Sequence, residues 1–135
     1  MKHSILLLFF LIAQEYFAQS NDTLSYQDNT IYSFSENPAE FPGGSKEMLN
    51  FIAKNIVYPQ TAIKNKISGK CFIKFIVEKN GEISNVSILR GVNNCPECDI
   101  EAERVVKLMP HWKPATNEGK TVRTLYNLPI NFNFE

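Results

Sequence analysis

The most restrictive feature of this sequence is its final stretch. Val122, Thr124, Tyr126, Leu128, Ile130, Phe132 and Phe134 occupy every second position, with Arg123, Leu125, Asn127 and Asn131 between them. A period of two is the mark of a β-strand that turns one face to a core. Pro129 interrupts the alternation without breaking it. Proline has no N–H to give to a ladder, so a strand that carries one must have an open edge on the side where that donor would have pointed. The chain is therefore committed to a sheet whose last strand is paired on one side and open on the other.

The preceding residues supply what that strand packs against. Cys71, Ile73, Phe75 and Val77 alternate with Lys70, Phe72, Lys74 and Ile76, a strand that opens at Gly69. Asn80-Gly81 predicts a two-residue type I′ turn, in which both positions need positive φ. Ile83, Val86 and Ile88 belong to the return strand, and the three-residue step from Ile83 to Val86 predicts a bulge.

Two helical patterns flank the hairpin. Phe41-Pro42-Gly43-Gly44-Ser45 reads as a turn feeding a helix, with Ser45 as N-cap and Met48, Leu49, Phe51 and Ile52 on one face. Tyr58-Pro59 ends it, and Pro59 can open a short helix through Ala62 and Ile63. The second strong helix is expected from Asp99 to Met109, where Ala102, Val105, Val106 and Met109 fall on one stripe. Asp99, Glu101 and Glu103 suit its positive N-terminal end, Lys107 the other, and Pro110 stops it. The fold class that follows is α+β, with two helices packed on one face of a small three-stranded antiparallel sheet.

The N-terminal region reads differently. Lys2 and His3 precede an unbroken apolar run, Ile5 to Ala13, with small residues at Ala18 and Ser20. That run is far short of the roughly 20 residues a membrane-spanning helix needs, and it suits a secretory leader. Residues 1–20 are expected to be a signal peptide cut between positions 18 and 20. The alternative is a retained leader that keeps the protein anchored at the inner membrane, facing the periplasm. From Gln19 to Pro42 the chain carries Asp22, Asp28, Glu36 and Glu40 and no Lys or Arg, whereas Gly43 to Glu135 holds 13 basic and 9 acidic residues. This split predicts an acidic flexible tail over 21–39 and a folded body over 40–135. Thr30-Ile31-Tyr32-Ser33-Phe34 can form a short strand at the junction.

The pieces Glu40-Phe41-Pro42-Gly43-Gly44, Tyr58-Pro59, the Gly69 strand with Asn80-Gly81, Glu101-Ala102 with Arg104-Val105-Val106, Met109 to Ala115, Gly119 to Val122, and Leu128-Pro129-Ile130-Asn131-Phe132 occur in order along the body. In this combination the chain resembles the C-terminal domain of TonB-type energy transducers. The resemblance covers Glu40 to Phe134. It implies a periplasmic domain that docks on TonB-dependent outer-membrane transporters and takes up a short peptide of theirs, the TonB box, as an added strand. It also implies a link to an inner-membrane ExbB/ExbD-type motor, which requires that the leader be retained. An open sheet edge offers an extended peptide a row of unpaired N–H and C=O groups. Beside that edge, Arg123, Leu125, Asn127 and Asn131 are the candidate partner-peptide residues. An edge of this kind also permits a homodimer, so a self-associating envelope scaffold of the same fold is the second reading.

Other constellations offer less. In an exported protein Cys95 and Cys98 can form a disulfide, leaving Cys71 over. Cys95-Pro96-Glu97-Cys98 before a helix also suits a thiol oxidoreductase, although the acidic residues beside it oppose a lowered thiol pKa. Cys71, Cys95, Cys98 and His111 include zinc-type donors, but a single C-x-x-C and a cysteine in the apolar row of a strand argue for no metal. His111-Trp112 has no nucleophile or carboxylate at a recognisable spacing, and Trp112 reads as a packing residue. With Lys+Arg and Asp+Glu at 14 each, net charge is zero, which argues against nucleic acid as a partner. No enzyme activity and no cofactor are expected.

Overall fold

The computed structural model describes residues 28–133. The expected leader, residues 21–27 of the tail, and Phe134 lie outside the described residues. In chain order the elements are β1 (Ile31–Tyr32), α1 (Ser45–Asn55), α2 (Gln60–Lys64), β2 (Gly69–Val77), β3 (Ile83–Arg90), α3 (Pro96–Lys107), β4 (Ala115–Asn117) and β5 (Lys120–Phe132). The fold is α+β, with β2, β3 and β5 antiparallel as the alternating patterns require.

The sheet is larger and more mixed than three antiparallel strands. Its order is β1-β5-β2-β3, and β4 also pairs with β5. The additional strand at the edge comes from the acidic segment. Ile31 and Tyr32 pair in parallel with Arg123 and Thr124. Farther along, Asn37 and Thr116 exchange backbone hydrogen bonds of 3.1 and 3.0 Å, and Glu40 and Lys113 exchange bonds of 3.0 and 2.8 Å. The part of the expected flexible tail from Asp28 to Ala39 is thus laid against the body. Period-two patterning could not reveal this, because most of the segment is held by isolated backbone bridges rather than by an apolar face.

The β2–β3 turn also differs from expectation. Gly81 N–H donates to the Glu78 carbonyl at 2.9 Å and Glu78 N–H to the Glu82 carbonyl at 2.8 Å. Gly81 has φ 87°, whereas Asn80 is not among the positive-φ residues. This is a three-residue loop in which a turn is followed by a left-handed glycine. Gly81 is needed for a second reason. A Cβ there would stand 2.1 Å from the Trp112 carbonyl oxygen, and Trp112 N–H donates to the Gly81 carbonyl at 2.8 Å. Two consecutive positive φ values, as type I′ requires, occur instead at Glu118 (50°) and Gly119 (75°), where β4 turns into β5. The expected bulge is present. Register shifts between Lys74 and Ile76, opposite Asn85 with its φ of 50°.

The helices cover one face of the sheet. In α1, Met48 and Ile52 are buried and Phe51 partly so, but Leu49 is exposed. Its N-cap is Gly44 rather than Ser45. α3 starts at Pro96 rather than Asp99, because Cys95 Sγ accepts the Cys98 N–H and proline tolerates the first helical position. Ala102, Val105 and Val106 are fully buried, and Met109 packs on the core from beyond the helix end. Glu101 accepts the Val57 N–H at 2.8 Å and pairs with Arg104, which donates to the Asn55 carbonyl at 2.8 Å. That network fastens the end of α1 to α3.

Below the helices lie Cys71, Ile73, Phe75, Val77, Leu128, Ile130 and Phe132. Burying a side chain the size of Phe75 stabilises by about 2 to 3 kcal/mol. Trp112 sits edge-on to Phe75, Phe41 and Tyr126, with ring centroids 5.4, 5.8 and 4.8 Å away. It therefore pins the loop after Pro110, as its sequence position suggests.

Candidate functional site

β5 is the strand on which everything else is hung. On one side it pairs with β2 without interruption, from Thr124 opposite Val77 to Phe132 opposite Gly69. On the other side β1 covers Arg123 and Thr124. From Leu125 onward, no strand among the described residues lies along that second edge.

Pro129 tells which backbone groups face that edge. It stands opposite Phe72, within a ladder that shows no register break on either side. A proline at a position that donates to β2 would remove a ladder bond, so the unbroken pairing puts the missing donor on the outer edge. Backbone direction alternates along an antiparallel strand. Leu125, Asn127 and Asn131, which share the parity of Pro129, therefore direct their N–H and C=O outward. Leu128 and Ile130 direct theirs to β2. Of the side chains, Asn127, Pro129 and Asn131 are exposed and Leu125 is half-buried.

Those side chains belong to the sheet face away from the helices. Ile76 is buried there, directly opposite Leu125. A trough of about 410 Å³ on this face is lined by Ile31, Lys74, Ile76, Asn85, Val86, Ser87 and Leu125. It joins the end of β1 to the start of the open edge through apolar side chains.

Arg123 is placed otherwise than the other three candidates. Its Nε and Nη2 donate to the two Glu78 carboxylate oxygens at 2.7 and 3.0 Å, and Nη1 donates to the Asn29 carbonyl at 3.0 Å. Glu78 also accepts from Ser84 Oγ at 2.5 Å. The hydrogen-bonded guanidinium holds the Glu78 carboxyl below the ordinary carboxylate range, and the same contact raises the pKa of Arg123. Arg123 is thus a clamp between the β2–β3 loop and β1, and Leu125, Asn127 and Asn131 remain along the open edge. No signal in the sequence pairs Arg123 with Glu78 or with a main-chain oxygen of residue 29.

The cysteines are elsewhere. Cys95 and Cys98 are joined in a disulfide and are fully buried at the start of α3. Cys71 is a free, buried thiol whose pKa is pushed up to about 12, chiefly by burial, with Asp99 adding to it. Among the described residues, no group of three His, Cys, Asp or Glu side chains could hold a metal ion. His111 lies exposed, 3.7 Å from Glu82.

The family model described as the Gram-negative bacterial TonB protein C-terminal matches residues 54–134. Two NMR solution structures of the TonB C-terminal domain of Helicobacter pylori are similar to this chain. One is 20% identical with a TM-score of 0.51, covering 70% of this chain and 87% of that one. The other is 18% identical with a TM-score of 0.48, covering 65% of this chain and 90% of that one. No curated protein matches the chain.

Proposed function

Because the chain belongs to the TonB C-terminal family, we propose that it is a periplasmic TonB-like domain that takes up peptide segments of TonB-dependent outer-membrane transporters by strand addition. The guest pairs with the outer edge of β5 between Leu125 and Asn131, in the service of energy-coupled transport. One observation carries the reading: the ladder with β2 continues unbroken through Pro129, which leaves the outward groups of Asn127 and Asn131, and the outward C=O of Leu125, without a strand among the described residues. Backbone pairing supplies affinity, and side chains at alternate guest positions supply selectivity. An ExbB/ExbD-type motor enters this reading only with a retained leader.

The test is a titration of the full chain with TonB-box peptides from transporters of the same cell, followed by amide chemical shifts. The expected shifts lie at Leu125 to Asn131, with smaller ones on β2. Their absence at millimolar peptide overturns the reading. Concentration-dependent sedimentation without any response to peptide points instead to the homodimeric scaffold.

A further inference from the structure

We infer that β1 is a built-in end-stop that fixes the register and length of any strand added to β5; this rests on the docking reading above. β1 occupies the same edge that a guest would use, and it covers Arg123 and Thr124. A guest and β1 are therefore collinear, and a guest reaching past Leu125 meets Tyr32 end-on. The open stretch runs from Leu125 to Phe132, which admits a guest of about eight residues.

A two-residue strand would be a poor barrier if pairing alone held it. It is fastened at several independent points. Arg123 donates to the Asn29 carbonyl at 3.0 Å, and Lys79 Nζ donates to the Asp28 carbonyl at 2.6 Å. Asp28 in turn accepts from both the backbone N–H and the hydroxyl of Thr30. Tyr32 packs on the core from one face of the sheet, while Ile31 lines the trough with Ile76 and Leu125 on the other. After Tyr32 the chain bends away at Ser33, and Phe34 beside this corner is 90% exposed. Farther on, Glu36 N–H donates to Asn117 Oδ1 at 2.7 Å, which holds the segment down on the other side of the bend.

An end-stop makes a definite demand on the guest. Backbone bonds accumulate with guest length only until the guest abuts β1. The residue that sits beside Leu125 meets an apolar environment shaped by Leu125 and Ile31, so an aliphatic side chain is favoured at that terminal position and a charged one is disfavoured.

The experiment is a length series of TonB-box peptides, from about four to about fourteen residues, titrated into the full chain and into the double variant Ile31→Gly, Tyr32→Gly. For the wild type, affinity should rise with length and become flat, within about twofold, beyond about eight residues. In the variant it should keep rising, by about tenfold more for the longest peptides, with new shifts at Arg123 and Thr124. The wild type alone gives an independent reading: the amide of Tyr32 should keep its exchange protection when the longest peptide is bound. Loss of that protection, or an identical length dependence in both proteins, overturns the end-stop while leaving strand addition intact. No binding by any peptide overturns the docking reading, and the end-stop with it.

Discussion

Arg123 and Glu78 meet through two parallel hydrogen bonds of 2.7 and 3.0 Å, and the third face of the same guanidinium holds the Asn29 carbonyl. One side chain thereby joins β5, the β2–β3 loop and the segment before β1. A planar fork suits this geometry, since it engages a carboxylate with two nitrogens and keeps one for a third partner.

The pair has a pH signature. Glu78 has its pKa lowered by the Arg123 contact, so its stabilising effect is present above the ordinary carboxyl value of 4.5 and is lost as pH falls through the lowered one. Glu78→Gln should therefore be less stable than the wild type at neutral pH, and the two should converge in acid. Urea unfolding at a series of pH values checks this; a gap that persists at low pH contradicts it.

Lysine in place of Arg123 keeps the charge but cannot serve Glu78 with two nitrogens while reaching Asn29. Arg123→Lys should leave the global unfolding midpoint nearly unchanged and raise the exchange rate of Tyr32. Hydrogen exchange resolved by residue reads both. Equal protection in the two proteins means that β1 is held without the clamp.

Two glycine replacements should differ sharply. Gly81→Ala combines a left-handed φ of 87° with a Cβ 2.1 Å from the Trp112 carbonyl oxygen, and should cost about 2 to 4 kcal/mol. Gly119→Ala has φ 75° but open space around its Cβ, and should cost only about 1 kcal/mol. Denaturant unfolding of both variants decides it.

Proline can be used to read the parity of β5. Asn127→Pro removes an outward donor at a position equivalent to Pro129, so the protein should stay folded and lose about tenfold or more in peptide affinity. Leu128→Pro removes a donor to β2 and should unfold the sheet. If both variants fold equally well, the outward assignment of Leu125, Asn127 and Asn131 is wrong.

Cys71 makes an alkaline prediction. Its thiol stays protonated in the fold up to about pH 12, whereas an unfolded thiol ionises near the ordinary value of 9.0. The unfolded state therefore holds fewer protons above that value, and stability falls as pH rises. Cys71→Ala should lack this part of the decline, so the difference between the two proteins should shift steadily in favour of the variant above pH 9. A constant difference through that range excludes the effect.

Much of the frame was legible because apolar periodicity reports which face of an element is covered. The alternation of Cys71 to Val77 and the stripe of Ala102, Val105 and Val106 correspond to buried rows. Periodicity was less informative for Leu49, which is apolar yet exposed, because helical spacing does not say how wide the covered stripe is. Asn80-Gly81 was a sound hairpin signal, but the loop conformation depends on Trp112, a residue far along the chain. Pro129 announced an open edge from its chemistry alone. The short strand expected within residues 30–34 is present as β1, but its parallel seating on β5 and the capture of Arg123 by Glu78 had no local trace, since a two-residue strand carries no pattern that names its partner.

The parallel seating of β1 has a mechanical consequence. A pull on the chain ahead of Asp28 runs along β1 and enters β5 as shear, so the bonds between the two strands are loaded together instead of being peeled one by one. A guest strand on the same edge would draw its tension from β5 as well. Arg123 and Lys79, which hold the segment ahead of β1 to Glu78 and the β2–β3 loop, would share that load with the strand.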